Sequence, residues 1–414
     1  MTVRETMLEK VAFWATCGAV VMPVVSIAAC QILLGVALAA LFLQRRKLDL
    51  PVYWVPLALF FAGTVIAALA SEAPLAAMPQ FKKFFVFTVV LCVANTIRTA
   101  SQVRNILLAI VGASALSSIW SLVQYWRKWD AADEQGLDFK LSYIASRITG
   151  FMSHWMTFSG EIMIALLVLV AFAMFGILAA DPKKEDSAPF PRHPFLYIVP
   201  IGLLLATALV LAQTRAMWIG CAFALIYLVW HWNKRMLLAL PFLASGVFFV
   251  SPEQVQERVV SLVRPRGELD SNAHRKACWA IGWEIVKAHP LLGLGPEMVK
   301  RHYQEYVPQW LSKKLPEGYY QHLHNIYFQY AAERGVPVLL LFLWMIGWIV
   351  RDCWRALLSL APGPSDERFI FHSILAITMS VMIAGFVENN LGDSEVLQLF
   401  LGVSQCGYAA IRKS

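Results

Sequence analysis

The stretch "QHLHNIYFQYAAERG" (321–335) puts two histidines, His322 and His324, where a long polar segment meets an apolar run. A neutral imidazole accepts a proton from a hydroxyl near pH 7, which lysine and arginine do not readily do. His324 is therefore a candidate general base; the competing role is a histidine hydrogen-bonded at a helix start. The i, i+2 pair could also ligate zinc, but no third ligand stands at ordinary spacing and there is no HExxH, so no metal is expected. "VLAQTRAMWIG" (210–220) places Arg215 between two apolar runs with almost no loop. An arginine at membrane depth is costly unless it snorkels, is paired or is solvated by a cavity. Binding an anionic group is the preferred role here. The polar segment 251–333 adds further cations, among them Arg266 and Arg275, and Arg147 and His154 lie in "ASRITGFMSHWMTFSGE" (145–161). Singly each fits a solvated surface; together, guanidinium forks are what a lipid-linked diphosphate requires. "GFVENNLGDSE" (385–395) offers Glu388 and Asp393, either to orient a base or an arginine or as an ordinary polar turn. DxD, GxxxxGK[ST], GxGxxG and GxSxG are all missing. That argues against a metal–nucleotide-sugar site, an ATPase and a serine nucleophile.

The elements that position these residues must be membrane helices. Of 414 residues, 58% are hydrophobic and 15% charged, against roughly 45–50% and about 25% in soluble domains. The mean hydropathy is +0.59. Fifteen Trp, 25 Phe and 12 Tyr suit aromatic belts at two interfaces. Disorder, collagen and a disulfide scaffold are excluded. Five of the seven cysteines lie in apolar runs, so no disulfide is expected on the outer side. The net charge of +8 is split among many short loops. Anionic lipid or phosphate partners fit this better than nucleic acid.

A bilayer core takes about 20 helical residues. Residues 11–43 carry no charge, and Pro23 and Ser26 at their midpoint predict a tight helical hairpin, 9–24 and 26–43. Apolar sequence running on through Leu43 argues against a cleaved leader. Ten further spans follow at 52–70, 80–97, 104–123, 156–179, 195–212, 216–232, 236–250, 334–350, 369–387 and 395–411. The expectation is an all-α polytopic membrane protein of about twelve transmembrane helices. Nine lie in 1–250, with a short outer loop at 124–155; a large outer loop, 251–333, is long enough for a helical subdomain; three spans fill 334–414. Arg45, Arg46, Lys47, Arg98, Arg104, Lys183, Lys184, Arg192, Lys234, Arg235, Arg351, Arg355, Arg368, Arg412 and Lys413 share one side. The short connections opposite offer only Lys82, Lys83 and Arg215. The positive-inside rule makes the first side cytoplasmic, with both termini. An outer compartment without ATP demands a pre-activated substrate.

On three stretches the chain resembles the O-antigen ligase and polymerase superfamily of bacterial envelopes. "TRAMWIG" (214–220) is similar to the family's Thr/Ser-Arg before a span. "RKACWAIGWEIVKAHPLLGLGPEMV" (275–299) resembles its Arg, Trp and HPLLGxG pattern. His324-Asn325, nine residues and Gly335 resemble the ligase motif, which continues with two residues and a Gly, Thr or Tyr; Val338 stands at that last place here. The resemblance implies a metal-free, cofactor-free glycosyltransferase facing the periplasm from the inner membrane. It would move O-antigen from undecaprenyl diphosphate to lipid A–core, completing lipopolysaccharide. It also implies His324 as base, with Arg215 and Arg275 on the diphosphate and Arg147, Arg266, His322, Asn325 and Glu388 as further site residues. A polymerase would use the same donor. Its paired outer loops carry arginine followed eleven positions on by glycine, and no arginine of either long outer loop here does so. A transporter or flippase of an anionic lipid is the alternative from another class. It would need midplane polar residues and repeated halves, whereas the spans are nearly free of midplane charge and show no halves.

Overall fold

In the computed structural model, residues 7–139, 142–143, 146–177, 195–263, 271–311 and 322–411 are described, and among them there are helices and turns but no strand. The helices are α1 (Met7–Val21), α2 (Ile27–Leu43), α3 (Trp54–Leu69), α4 (Met78–Thr96), α5 (Ala100–Glu134), α6 (Trp155–Phe172), α7 (Phe195–Leu211), α8 (Arg215–Trp232), α9 (Leu240–Val250), α10 (Glu253–Val263), α11 (Ser271–Ala288), α12 (Ile326–Ser359), α13 (Asp366–Ala384) and α14 (Ser394–Ile411). Each of the twelve predicted spans falls on one of these helices. Among the described residues, six helices are long and apolar enough to cross a membrane, and three shorter apolar ones, Ile27–Leu43, Trp54–Leu69 and Phe195–Leu211, accompany them.

The N-terminal hairpin forms as its sequence predicts. Pro23 starts a 3-10 turn over Met22–Val24. Ser26 then caps α2 by accepting from the Ala29 N–H. Helices α6, α13 and α14 make the centre, with nearly every side chain buried. In lipid, apolar side chains gain little by leaving their surroundings, so close backbone approach carries more of the packing. Gly220 of α8 shows this: a Cβ there would collide with the Ser380 carbonyl of α13.

The sequence places two helix ends wrongly. Helix α5 runs to Glu134, well past the expected end at residue 123, and α12 starts at Ile326 inside the segment expected to be outer loop to residue 333. Hydropathy marks where an apolar run stops. Helices continue beyond it wherever polar side chains still support the turn.

The bundle has two chemically different ends. At one, Arg104 pairs with Asp366 at 2.9 Å, Arg98 with Asp49 at 3.3 Å and Arg46 with Glu9. Arg46, Arg98 and Arg104, three of the basic residues that the sequence assigned to one side, lie at this end. At the other end, Gln80, Gln213, Glu297, Glu388 and Asp393 come together with the segment between α9 and α12.

One local device fixes this second end. Helix α12 breaks at Gly335, whose φ of 82° and ψ of 161° are open essentially to glycine alone. The break lets the "HPLLGLGP" segment lie against the chain as a short ladder. Leu294 N–H donates to Ala332 O at 2.8 Å, Gly295 N–H to Glu333 O at 3.0 Å, and Val336 N–H to Pro290 O at 2.8 Å. A Cβ on Gly335 would also run into the Leu291 carbonyl. Gly335→Ala should therefore cost about 1–3 kcal/mol from backbone strain alone, read as a fall in melting temperature in detergent. An unchanged melting temperature would show that the break tolerates a side chain.

Candidate active site

His324 sits just before α12 in the left-handed region, at φ 47°. Histidine enters that region more readily than most residues, yet still at a cost. Three contacts hold it there. The His324 N–H donates to His322 Nδ1 at 3.3 Å, Trp279 Nε1–H donates to the His324 carbonyl at 3.3 Å, and Asn325 caps the helix that follows. Asn325 Oδ1 accepts from the N–H groups of Tyr327 and Phe328, both at 2.9 Å, and its Nδ2 donates to Phe386 O at 2.8 Å. The Ile326 N–H donates to Gly385 O at 2.9 Å. Asn325 thus ties the α12 start to the turn that carries Glu388.

Glu388 is 1% exposed. Its Oε1 lies 2.9 Å from His324 Nδ1, and its Oε2 is 3.2 Å from Arg275 Nη2. Arg275 also donates through Nε to Val387 O at 2.8 Å. Burial pushes the Glu388 carboxyl up, but the hydrogen bond from His324 and the charges of His324, Arg275 and His322 prevail and hold it down to about 2. An ionised Glu388 only accepts, so His324 Nδ1 must carry the proton. In the neutral imidazole that leaves the lone pair on Nε2, which is the tautomer a general base requires.

Two more imidazoles crowd the first. His322 and His274 have ring centroids 4.1 and 5.0 Å from that of His324. Burial, then the His324 charge, pushes both down to about 4. At pH 7 they are neutral.

Arg215 opens α8 and is 5% exposed. The α7–α8 connection is tight, with Gln213 at φ 52° and Ser159 Oγ donating to Thr214 Oγ1 at 2.9 Å. Arg147 lies over the Trp155 ring at 5.0 Å and donates to Gln213 O at 3.4 Å. Burial pushes Arg147 down to about 10; Tyr143 opposes this, and Arg215 and Arg275 add to it. The three arginines share one electrostatic neighbourhood. Of the residues singled out from sequence, His324, His322, Asn325, Glu388 and Arg275 meet directly. Arg147 and Arg215 join them through that neighbourhood, and Arg266 lies outside the described residues.

Sequence reasoning missed Trp279 and His274. Both lie on α11 beside Arg275, one helical turn or less away, so a helix drawn through 271–288 would have placed them near it. It also found no third metal ligand, whereas the fold supplies one. His322, His324 and Glu388 offer ligand atoms within 4.8 Å of one another. The Glu388 oxygens are committed to His324 and Arg275, and a guanidinium beside the carboxylate opposes a dication. The set fits a proton relay better than a metal.

Residues 200–343, about a third of the chain, match the family described as O-antigen ligase. This span holds Arg215, Arg275, His322 and His324, and the match supports membership of the O-antigen ligase and polymerase superfamily. The structure is that of a helical membrane-type protein, and the match points to O-antigen ligase or polymerase-type glycosyltransferase activity. No curated protein matches it.

The site should make stability acid-sensitive. His322 and His274 bind protons at about 4 when folded against 6.5 ordinarily. The unfolded chain therefore binds more protons between those values, and stability falls as pH drops through that window. Glu388, held near 2 against 4.5, adds stability that is complete above 4.5 and lost as pH falls towards 2. Melting temperature measured from pH 7 to pH 3 should fall, and Glu388→Gln should flatten the part below about 4.5. An acid limb of equal slope in Glu388→Gln would remove Glu388 from this account.

Proposed function

We propose that this protein is an O-antigen ligase. It would be an inverting glycosyltransferase that moves O-antigen polysaccharide from undecaprenyl diphosphate to a sugar hydroxyl of lipid A–core. The observation that carries this is the His324–Glu388–Arg275 chain, with Arg147 and Arg215 in the electrostatic neighbourhood of Arg275. A base next to an anion site suits transfer from a diphosphate. The missing arginine-to-glycine spacing in the outer loops supports ligase over polymerase. The end of the bundle that gathers the basic loops would face the cytoplasm with both termini, and the His324 end the periplasm of the inner membrane.

The chemistry follows from the residues. His324 Nε2 takes the proton of the acceptor hydroxyl as its oxygen attacks the anomeric carbon of the donor sugar. The bond from that carbon to the diphosphate oxygen breaks, with inversion. Glu388 keeps Nδ1 protonated and stabilises the imidazolium that forms. Negative charge grows on undecaprenyl diphosphate, and Arg215 and Arg275, with Arg147 behind them, neutralise it where water is scarce. The polyprenyl chain would lie in a lateral groove between helices.

Transfer with purified protein, lipid-linked donor and rough lipopolysaccharide tests this. His324→Ala should abolish transfer in a protein that still folds and inserts, His322→Ala should reduce it less, and wild-type activity should persist in excess EDTA. Full activity in His324→Ala, or loss on chelation with rescue by one divalent ion, would overturn the base and the metal-free reading respectively.

Arginine grips a phosphate bidentately, whereas lysine offers a point charge. Arg215→Lys and Arg275→Lys should keep the charge yet lose about 10- to 150-fold in rate, as expected for one charged hydrogen bond of about 1.5–3 kcal/mol. Donor kinetics should carry the loss. If acceptor affinity alone changes, the arginines hold the phosphates of lipid A–core instead.

A further inference from the structure

A cavity of about 240 Å³ opens beside Glu388, between the site ends of α3, α4 and α12 and the turn at 389–393. His322 and Glu388 line it; Arg147, Arg215 and Arg275 do not. It holds no excess of cations: Lys83, Lys300 and Arg334 stand against Glu297, Glu333, Glu388 and Asp393. Arg334 donates to Gln80 at 2.8 Å and to Glu333 at 3.2 Å, and Lys300 donates to Glu297 at 2.8 Å. One wall is aromatic, with Phe60, Phe84, Phe87 and Tyr330. Two buried polar atoms on its lining residues, Arg334 Nε and Asn389 Oδ1, have no hydrogen-bond partner among the described residues. Arg334 as a whole is 3% exposed.

These features select a ligand class. A diphosphate needs an excess of cations, which this cavity lacks. An alkyl chain would leave the orphan donor and the orphan acceptor unsatisfied, at a cost for each. A pyranose answers both: a hydroxyl donates and accepts, and the C–H face of the ring packs on aromatic side chains.

We infer that this cavity is the subsite for the acceptor sugar, distinct from the arginine neighbourhood that holds the leaving diphosphate. The inference rests on the proposed transferase reading and deepens it. An inverting displacement brings the nucleophile to the face of the anomeric carbon opposite the leaving group. Acceptor and diphosphate must therefore occupy different regions; the cavity borders Glu388 and His322, though not His324 itself, and Arg275 meets Glu388 through its other oxygen.

Asn389→Ala and Phe84→Ala are the test variants, since neither side chain takes part in the proton relay; Arg334→Lys is the third. Transfer kinetics should show the acceptor KM raised about 5- to 10-fold in each, as for one lost neutral hydrogen bond or stacking contact, with the donor KM unchanged. Calorimetric titration of lipid-free core oligosaccharide into full-length protein in detergent, without donor, should show the same weakening. A raised donor KM, or unchanged acceptor binding in both Asn389→Ala and Phe84→Ala, overturns the subsite. If wild-type protein transfers nothing, the transferase reading fails separately, and the titration still decides the cavity. Binding that the variants weaken keeps a sugar site, and no binding by wild type removes it.

Discussion

The carboxylate of Glu388 is the interaction on which the rest of the site depends. Burying a charge at 1% exposure is unfavourable unless it is paired and hydrogen-bonded. Here two partners from two different segments supply that, His324 at 2.9 Å and Arg275 at 3.2 Å. The turn after α13 therefore cannot close without both α11 and the start of α12 in place. The same ion fixes the histidine tautomer. What satisfies the fold also prepares the base, so stability and chemistry rest on one group.

The supporting architecture follows from that demand. α11 must reach over the bundle to bring Arg275 and Trp279 to the 385–388 turn. The segment after it returns through "HPLLGLGP" and is pinned to the α12 break at Gly335 by three backbone hydrogen bonds. The glycine is needed by the break, and the break by the ladder. His324, eleven residues earlier, takes its own left-handed turn so that its ring meets Glu388 while its carbonyl accepts from Trp279. Two strained backbone positions bracket the first part of α12, as expected where surrounding contacts over-determine a functional segment.

Much of this was legible beforehand. The hairpin at Pro23 and Ser26 was readable because a proline and an N-cap residue are local signals. The positions of the helices were readable because apolar runs are one-dimensional. Arg215 stood out because its isolation between apolar runs is a sequence property. Glu388 was harder: in sequence it is one acid in a polar turn, and only the fold brings it to His324, 64 residues away, and to Arg275, 113 residues away. The α5 and α12 ends were missed because helices outlast the apolar runs that reveal them. The Glu333–Arg334 pair was passed over for a related reason, since its partner Gln80 lies 254 residues from Arg334.

The distribution of charge across the site end then has a functional logic. Arg215 and Arg275 add to the lowering that burial imposes on Arg147, and Arg275 pairs with Glu388. The neighbouring cavity pairs nearly every cation with a carboxylate or an amide. Both regions hold basic residues, yet only the first is proposed to bind an anion. Counting basic residues along the chain could not separate them, because what differs is the acids each one meets. A transferase whose two substrates both carry phosphate and sugar needs this separation. In the proposed mechanism the arginine neighbourhood is where charge leaves, and the cavity with its paired cations is where a hydroxyl is held to attack.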